Sequence, residues 1–236
     1  MLDARFSYIT EEFFANHVTP DGLDKLLADG WRHFGSYFFR YNLAMHRDEI
    51  RLVTPLRIRL SDLVLSKSQR RNLRRNADLR IEVGPLRITS AAEDLFQKHK
   101  ERFVESTPGS ILNFVPASFR LAPCDTRQIS VFDADRLVAE SYFDVGTSSA
   151  SGIYGMFDPE VAARGLGIFT LLKEMEFGSA LGLQHYYLGY SYSGRSFYDY
   201  KKRFAATEYY NWRGEWLPFS FVTDERSAQE PFPGAS

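Results

Sequence analysis

The chain has 236 residues, 44% hydrophobic and 25% charged, with a formal net charge of −1. That length buries a full core in one large or two small domains, the composition is that of a soluble globular protein, and the near-zero charge requires any nucleic-acid partner to be held by a local patch. The single cysteine, Cys124, excludes an internal disulfide and a zinc cluster of the usual Cys/His spacing, and it fits a reducing, cytoplasmic setting. Residues 1–5 lack a basic-then-apolar leader, and no apolar run reaches membrane-spanning length. The expectation is therefore a protein with no membrane partner and no bound metal.

Residues 1–30 read as short helices around Phe6, Phe13, Phe14, Leu23, Leu26 and Leu27, with Thr19 or Asp21 as a helix cap. Residues 30–35 read as a turn. Residues 36–43 and 49–60 read as strands; in the second, Leu56, Ile58 and Leu60 alternate with Arg57 and Arg59. Residues 66–76 form a polar helix and 90–103 another, with Leu95 and Phe103 inward, and residues 107–110 break it. A short helix at 116–121 precedes three strands, 127–132, 136–145 and 151–157. A helix at 165–181 then carries Leu171, Leu172, Met175 and Leu181 on or near one apolar face. A strand at 184–190, a Tyr-rich helix at 196–204 and a hairpin about Arg213-Gly214 follow. The polar tail from Thr223 reads as disordered.

The order predicts an α+β fold, a mostly antiparallel sheet flanked by helices. It divides into an N-terminal α/β portion with the basic helix (1–85), a main domain (86–222) and the tail (223–236). The layout resembles the GNAT acyltransferase superfamily.

Three constellations carry chemistry. The first is basic: Lys67, Arg70, Arg71, Arg74 and Arg75 fall within nine residues. On a helix, Arg70 and Arg74 stand one turn apart, as do Arg71 and Arg75. Planar guanidinium forks bind phosphate oxygens in pairs, so the ridge is a candidate RNA-docking surface; a solvated helix face is the plain alternative. The second is the strand–turn–helix from Tyr154 through Asp158 to Arg164-Gly165-Leu166-Gly167. Backbone N–H groups left free at such a helix start can hold an anionic or carbonyl ligand. In GNAT enzymes a related loop holds the coenzyme A pyrophosphate. Here Phe169 stands where the last small residue belongs, and its ring is expected to crowd that group. The third is aromatic and basic, with Tyr187, Tyr190, Tyr192, Tyr198 and Tyr200 beside Lys201, Lys202 and Arg203. It is either a Tyr-rich core edge or a wall that stacks a base and meets a phosphate.

These segments occur together in one order: Gly30-Trp-Arg-His-Phe-Gly-Ser-Tyr37, Val53-Thr-Pro-Leu-Arg-Ile-Arg59, Ser66-Lys-Ser-Gln-Arg-Arg-Asn-Leu-Arg-Arg-Asn76, Tyr154-Gly-Met-Phe-Asp-Pro159, Gly165-Leu-Gly-Ile-Phe-Thr170, Tyr187-Leu-Gly-Tyr190 and Tyr200-Lys-Lys-Arg-Phe204. Over roughly residues 25–212 the chain resembles the aminoacyl-tRNA–protein transferases of the N-degron pathway, with the bacterial leucyl-transferase branch most similar. It departs from the family at 40–46, where no cysteine stands in place of a Cys-x-x-Cys-type stretch.

The resemblance implies an enzyme that moves an amino acid from the 3′ ester of aminoacyl-tRNA to the amine of a protein or peptide. The ester is already activated, so no cofactor is expected beyond the charged tRNA. On that reading Asp158 holds the donor ammonium or takes the attacking amine's proton, or else only caps a turn. Tyr190 and Tyr192 donate to the leaving oxygen. Tyr154, Arg164, Gly165, Gly167, Lys201 and Arg203 bind the aminoacyl end, and Lys67, Arg70, Arg71, Arg74 and Arg75 bind the tRNA backbone. An acetyl-CoA-dependent GNAT N-acetyltransferase is the rival enzyme, and a non-enzymatic RNA-binding module is the third reading.

Overall fold

The computed structural model describes residues 7–46, 49–103, 108–194 and 196–220; the tail from Thr223 lies outside them. The chain runs β1 (Thr10–Phe14), α1 (Pro20–Ala28), β2 (Arg32–Phe34), β3 (Tyr37–Tyr41), β4 (Leu43–His46), β5 (Glu49–Arg59), α2 (Lys67–Arg75), β6 (Arg80–Pro85) and α3 (Ser90–Lys100). It continues β7 (Asp125–Asp133), β8 (Arg136–Val145), β9 (Ser149–Phe157), α4 (Leu166–Ala180), β10 (His185–Tyr192), β11 (Thr207–Tyr210) and β12 (Trp216–Pro218). The fold is α+β, and its sheets are antiparallel except where β9 meets β10.

A nine-stranded sheet in the order β12-β11-β5-β10-β9-β8-β7-β6, with β4 added to β5, forms the body. A division at residue 85 does not follow this sheet, because β5 lies in its interior and β6 forms its edge. One core cluster joins Leu56, Ile58, Ile129, Val131 and Phe143 of the sheet to Leu166, Phe169, Leu172 and Met175 of α4. A second packs Leu95 and Phe96 of α3 against Tyr142 and Met156.

Residues 10–14 form a strand, not a helix, and so do 32–34. They flank β3 in a three-stranded sheet. Alternation explains it: Phe13 turns inward and stacks on Phe38 at 5.0 Å, while Phe14 on the other face is 73% exposed. β6, which the sequence reading passed over, is an edge strand ending in Gly84-Pro85; its exposed Val83 and terminal proline hide the alternation. The Tyr-rich segment near 196–204 is a 3-10 turn, Phe197–Arg203, begun by a reciprocal cap between Ser196 and Asp199.

The two sheets are pinned by a buried polar pair. His33 on β2 places Nδ1 2.8 Å from the Gly35 carbonyl and Nε2 2.6 Å from Asp144 Oδ2 on β8. Thr126 donates to the other Asp144 oxygen at 2.6 Å. His33 is 4% exposed and Asp144 1%. Replacing Asp144 by Ala strands the imidazole and the Thr126 hydroxyl in the interior. Loss of one partner of a buried pair costs about 3 kcal/mol or more. Urea unfolding of Asp144→Ala is expected to show that loss, and a change under about 1 kcal/mol, the scale of an exposed pair, would contradict the pinning role.

Candidate active site

The parallel pairing of β9 with β10 lasts only from Ser149↔His185 to Ser151↔Tyr187. Beyond it β9 follows β8 and β10 follows β5, so the strands part. Parted strands leave backbone groups unpaired inside protein, and each unsatisfied group costs on the order of 1–3 kcal/mol. Cations fill the gap. Arg32, on the face of β2 opposite His33, donates to Gly152 O and Ser151 Oγ at the mouth of the wedge. Lys201 Nζ donates to Tyr190 O at 3.0 Å, and Lys202 Nζ to Tyr192 O at 2.8 Å. Gly189 takes a φ of +82° beside Arg32, a backbone conformation that favours glycine.

The wedge holds a cavity of about 100 Å³. Its walls include Gly152 and Tyr154 of β9, Ser141 of β8, Leu188 of β10, Gly167 and Thr170 of α4, and Lys201. Glu174 of α4 and Tyr186 of β10 are buried in its wall, 3% and 0% exposed, and the Tyr186 hydroxyl donates to Glu174 Oε2. Gly152 is required beside them, since a Cβ there would collide with the Tyr186 hydroxyl and lie 3.3 Å from Glu174 Oε2. Ser141 lies against the Glu174 carboxylate, yet its Oγ lacks a partner of hydrogen-bond geometry, as does the buried Tyr154 Oη.

Burial dominates the electrostatics. It pushes the Glu174 carboxyl up to about 7, against the pull of the neighbouring hydroxyls. It draws the Lys201 ammonium down to about 7, and the Arg32 guanidinium acts in the same direction. The Glu174 displacement corresponds to roughly 3 kcal/mol against the charged form, a cost that an incoming cation would offset. An acid and a base in one cavity, both poised near neutral pH, are the arrangement expected where protons move.

The sequence-derived candidates divide on this geometry. Tyr154, Gly167 and Lys201 meet in the cavity. Asp158 does not line it: 2% exposed, it accepts from Glu160 N at 3.0 Å as the cap of the turn Pro159–Arg164, and its other oxygen is 3.6 Å from Lys98 and from Arg136. Tyr190 turns its hydroxyl away, donating to Gly30 O at 2.7 Å. Tyr192 stands edge-on to Tyr198, and Arg203 is exposed. Arg164 pairs with Asp78 at 2.9 Å outside the cavity. Phe169 is in the core, 1% exposed, so its ring does not crowd a ligand at the helix start as the sequence suggested.

α2 docks on that helix start. Ser66 and Gln69 cap it reciprocally. Asn72 Nδ2 donates to Arg164 O at 3.1 Å and Gly165 O at 3.0 Å, and Arg75 donates to Ala163 O at 2.6 Å. Gly165 has φ +68°, and a Cβ there would lie 2.8 Å from Asn72 Nδ2, so the turn and the docking both need glycine. Arg70 donates to Leu65 O. Lys67, Arg71 and Arg74 are exposed, with no ion pair among the described residues. The ridge thus stands at the N-terminal end of α4, whose first two turns line the cavity.

Sequence reasoning missed Glu174, Tyr186, Ser141 and Arg32. Glu174 left a trace, an acid among the apolar Leu171, Leu172 and Met175 of a buried helix face. Ser141 and Tyr186 left none, because their role depends on where two strands part.

The family model described as arginine-tRNA-protein transferase, C terminus, matches residues 87–211, just over half of the chain. An aspartate/glutamate leucyltransferase of Stenotrophomonas maltophilia is 29% identical over 85% of this chain and 81% of its own length. One of Acinetobacter baumannii is 27% identical over 79% and 68%. A solved structure of L-PGS from Bacillus licheniformis overlays with TM-score 0.47 at 12% identity, over 79% of this chain and 55% of that one, a partial likeness from which no activity follows. The matched region carries β7 to β11, the wedge and the cavity, and the chain belongs to the arginine-tRNA-protein transferase family.

Proposed function

We propose that the wedge between β9 and β10 is where an amino acid passes from the 3′ ester of aminoacyl-tRNA to the amine of a protein or peptide. The observation that carries the reading is that Glu174 and Lys201, both poised near 7, line one cavity near the end of α4 against which the basic ridge docks. Family membership supports the reaction class. The relatives' names support leucine as the donated residue and aspartate or glutamate as the acceptor. By the resemblance, the acceptor residue is N-terminal and the setting is cytoplasmic N-degron tagging.

In this mechanism the acceptor amine attacks the ester carbonyl, the N–C bond forms and the bond to the ribose 3′ oxygen breaks. Neutral Lys201 takes the amine proton and returns it to the departing oxygen, so one group serves as base and then acid. The hydrogen bond to Tyr190 O fixes Nζ for both steps. First-turn amides of α4 at Gly167 are candidate partners for the oxyanion. The exposed Lys67, Arg71 and Arg74 carry the tRNA phosphates. Positioning of two bound substrates supplies much of the acceleration, as in other two-substrate transfers.

Two outcomes follow. Lys201→Met is expected to lower single-turnover transfer by about a hundredfold, the scale of a lost acid–base group, with tRNA affinity within twofold. Lys201→Arg should not rescue it, because its guanidinium stays protonated. In the wild type kcat should climb as pH rises through about 7, since the protonated amine cannot accept a proton. Full activity in Lys201→Arg would contradict the shuttle. Separately, Arg71→Ala with Arg74→Ala should weaken tRNA binding and lower the slope of log affinity against log salt by about 2, roughly 0.9 for each lost phosphate contact. An unchanged slope would move the tRNA elsewhere.

A further inference from the structure

The cavity contains more polar capacity than the wedge itself uses. Ser141 Oγ, on a residue 1% exposed, is buried without a hydrogen-bond partner and belongs to a residue that lines the cavity against the Glu174 carboxylate. An unpartnered buried hydroxyl is uncommon and calls for an explanation. With the Glu174 carboxylate, one of whose oxygens the Tyr186 hydroxyl holds, it places acceptor groups together on one wall of the cavity. A primary ammonium offers three donors and a positive charge. A thioester such as acetyl-CoA, or an N-acylated amino acid, offers no cation next to its carbonyl and would leave the buried carboxylate uncompensated.

We infer that Glu174 and Ser141 form a subsite for the free α-ammonium of the donor aminoacyl ester, so that the enzyme selects unblocked aminoacyl-tRNA and rejects donors whose α-amine is acylated. The inference rests on the aminoacyl-transfer reading above and adds a donor specificity to it. The donor ammonium is favoured over the acceptor's because Glu174 lies on α4, the helix whose start adjoins the basic ridge. The α-carbon joins the ammonium directly to the ester carbonyl, so seating the one orients the other. Selection works through the missing cation as well as through size. An N-acyl group removes the charge, adds bulk in a cavity of about 100 Å³, and leaves the Glu174 and Ser141 acceptors facing an amide with one N–H.

The test uses the full-length protein, a peptide acceptor, and one tRNA charged with an amino acid that the enzyme transfers, either unblocked or N-acetylated by acetic anhydride. Single-turnover transfer from the unblocked donor is expected to exceed that from the N-acetylated donor by at least a hundredfold. Glu174→Gln keeps the size but removes the charge, and should reduce that ratio to below about tenfold, chiefly by slowing the unblocked donor. Ser141→Ala, which deletes one hydroxyl from an otherwise packed wall, should reduce it several-fold, and it keeps the inference testable if Glu174→Gln does not fold. Equal rates from the two donors in the wild type would overturn the subsite while leaving aminoacyl transfer standing. A ratio unchanged in both variants would assign the selection to other residues and overturn it too. No transfer from either donor, with any tested amino acid, would overturn the transfer reading and the subsite with it.

Discussion

The parting of two parallel strands is the constraint on which the rest depends. A sheet that opens in its middle exposes carbonyls to the interior, and water cannot reach all of them. Here the openings are closed by Arg32 from the small sheet and by Lys201 from the 3-10 turn that follows β10. Both cations come from segments remote in sequence from β9, so the wedge forms only when the small sheet, the turn and the body have docked. The His33–Asp144 pair belongs to the same device: His33 and Arg32 are neighbours on β2 and point to opposite faces, one anchoring the strand and the other filling the gap.

The same repair sets the chemistry. Cations recruited to satisfy backbone oxygens lose hydration, and desolvation disfavours their charge. Lys201 is therefore brought near neutrality by the fold itself. Glu174 is raised for the same reason, being fully enclosed on α4 with a tyrosine hydroxyl as its hydrogen-bond donor. By contrast, the α2 cations stay in solvent, where they keep their charge and attract phosphate at long range. A permanent positive ridge outside and two adjustable groups inside suit a substrate with a polyanionic body and a small reactive end.

Much of this was legible in the sequence, unevenly. The alternation in 56–60 gave β5, the apolar face gave α4, and the Gly165–Gly167 turn gave the helix start that lines the cavity. Local signals sufficed because each reports a periodic or conformational preference of a contiguous segment. Strands 10–14 and 32–34 were lost because they are short, with two phenylalanines side by side in one case and flanking glycines that read as a turn in the other. Asp158 and Arg164 were candidates for their place beside the glycine turn, and Tyr190 for its place in the aromatic and basic cluster. In the fold each is engaged elsewhere, by a cap, a carbonyl and an ion pair. The residues that meet in the cavity, Ser141, Tyr154, Glu174, Tyr186 and Lys201, come from five separate elements, and no spacing rule links them. Phe169 illustrates the same limit: its place in a motif suggested a steric block, whereas helix phase turns it into the core.

The most direct measurement is a product assay. The purified chain is incubated with a pool of charged tRNAs and a set of peptides that differ only at their first residue, without ATP or acetyl-CoA, and the peptides are weighed by mass spectrometry. Addition of a single amino-acid residue to a peptide's N-terminus, dependent on charged tRNA and lost in Lys201→Met, is the expected result. Peptides that stay unmodified with every charged tRNA, or that gain only an acetyl group once acetyl-CoA is supplied, would contradict aminoacyl transfer at the wedge.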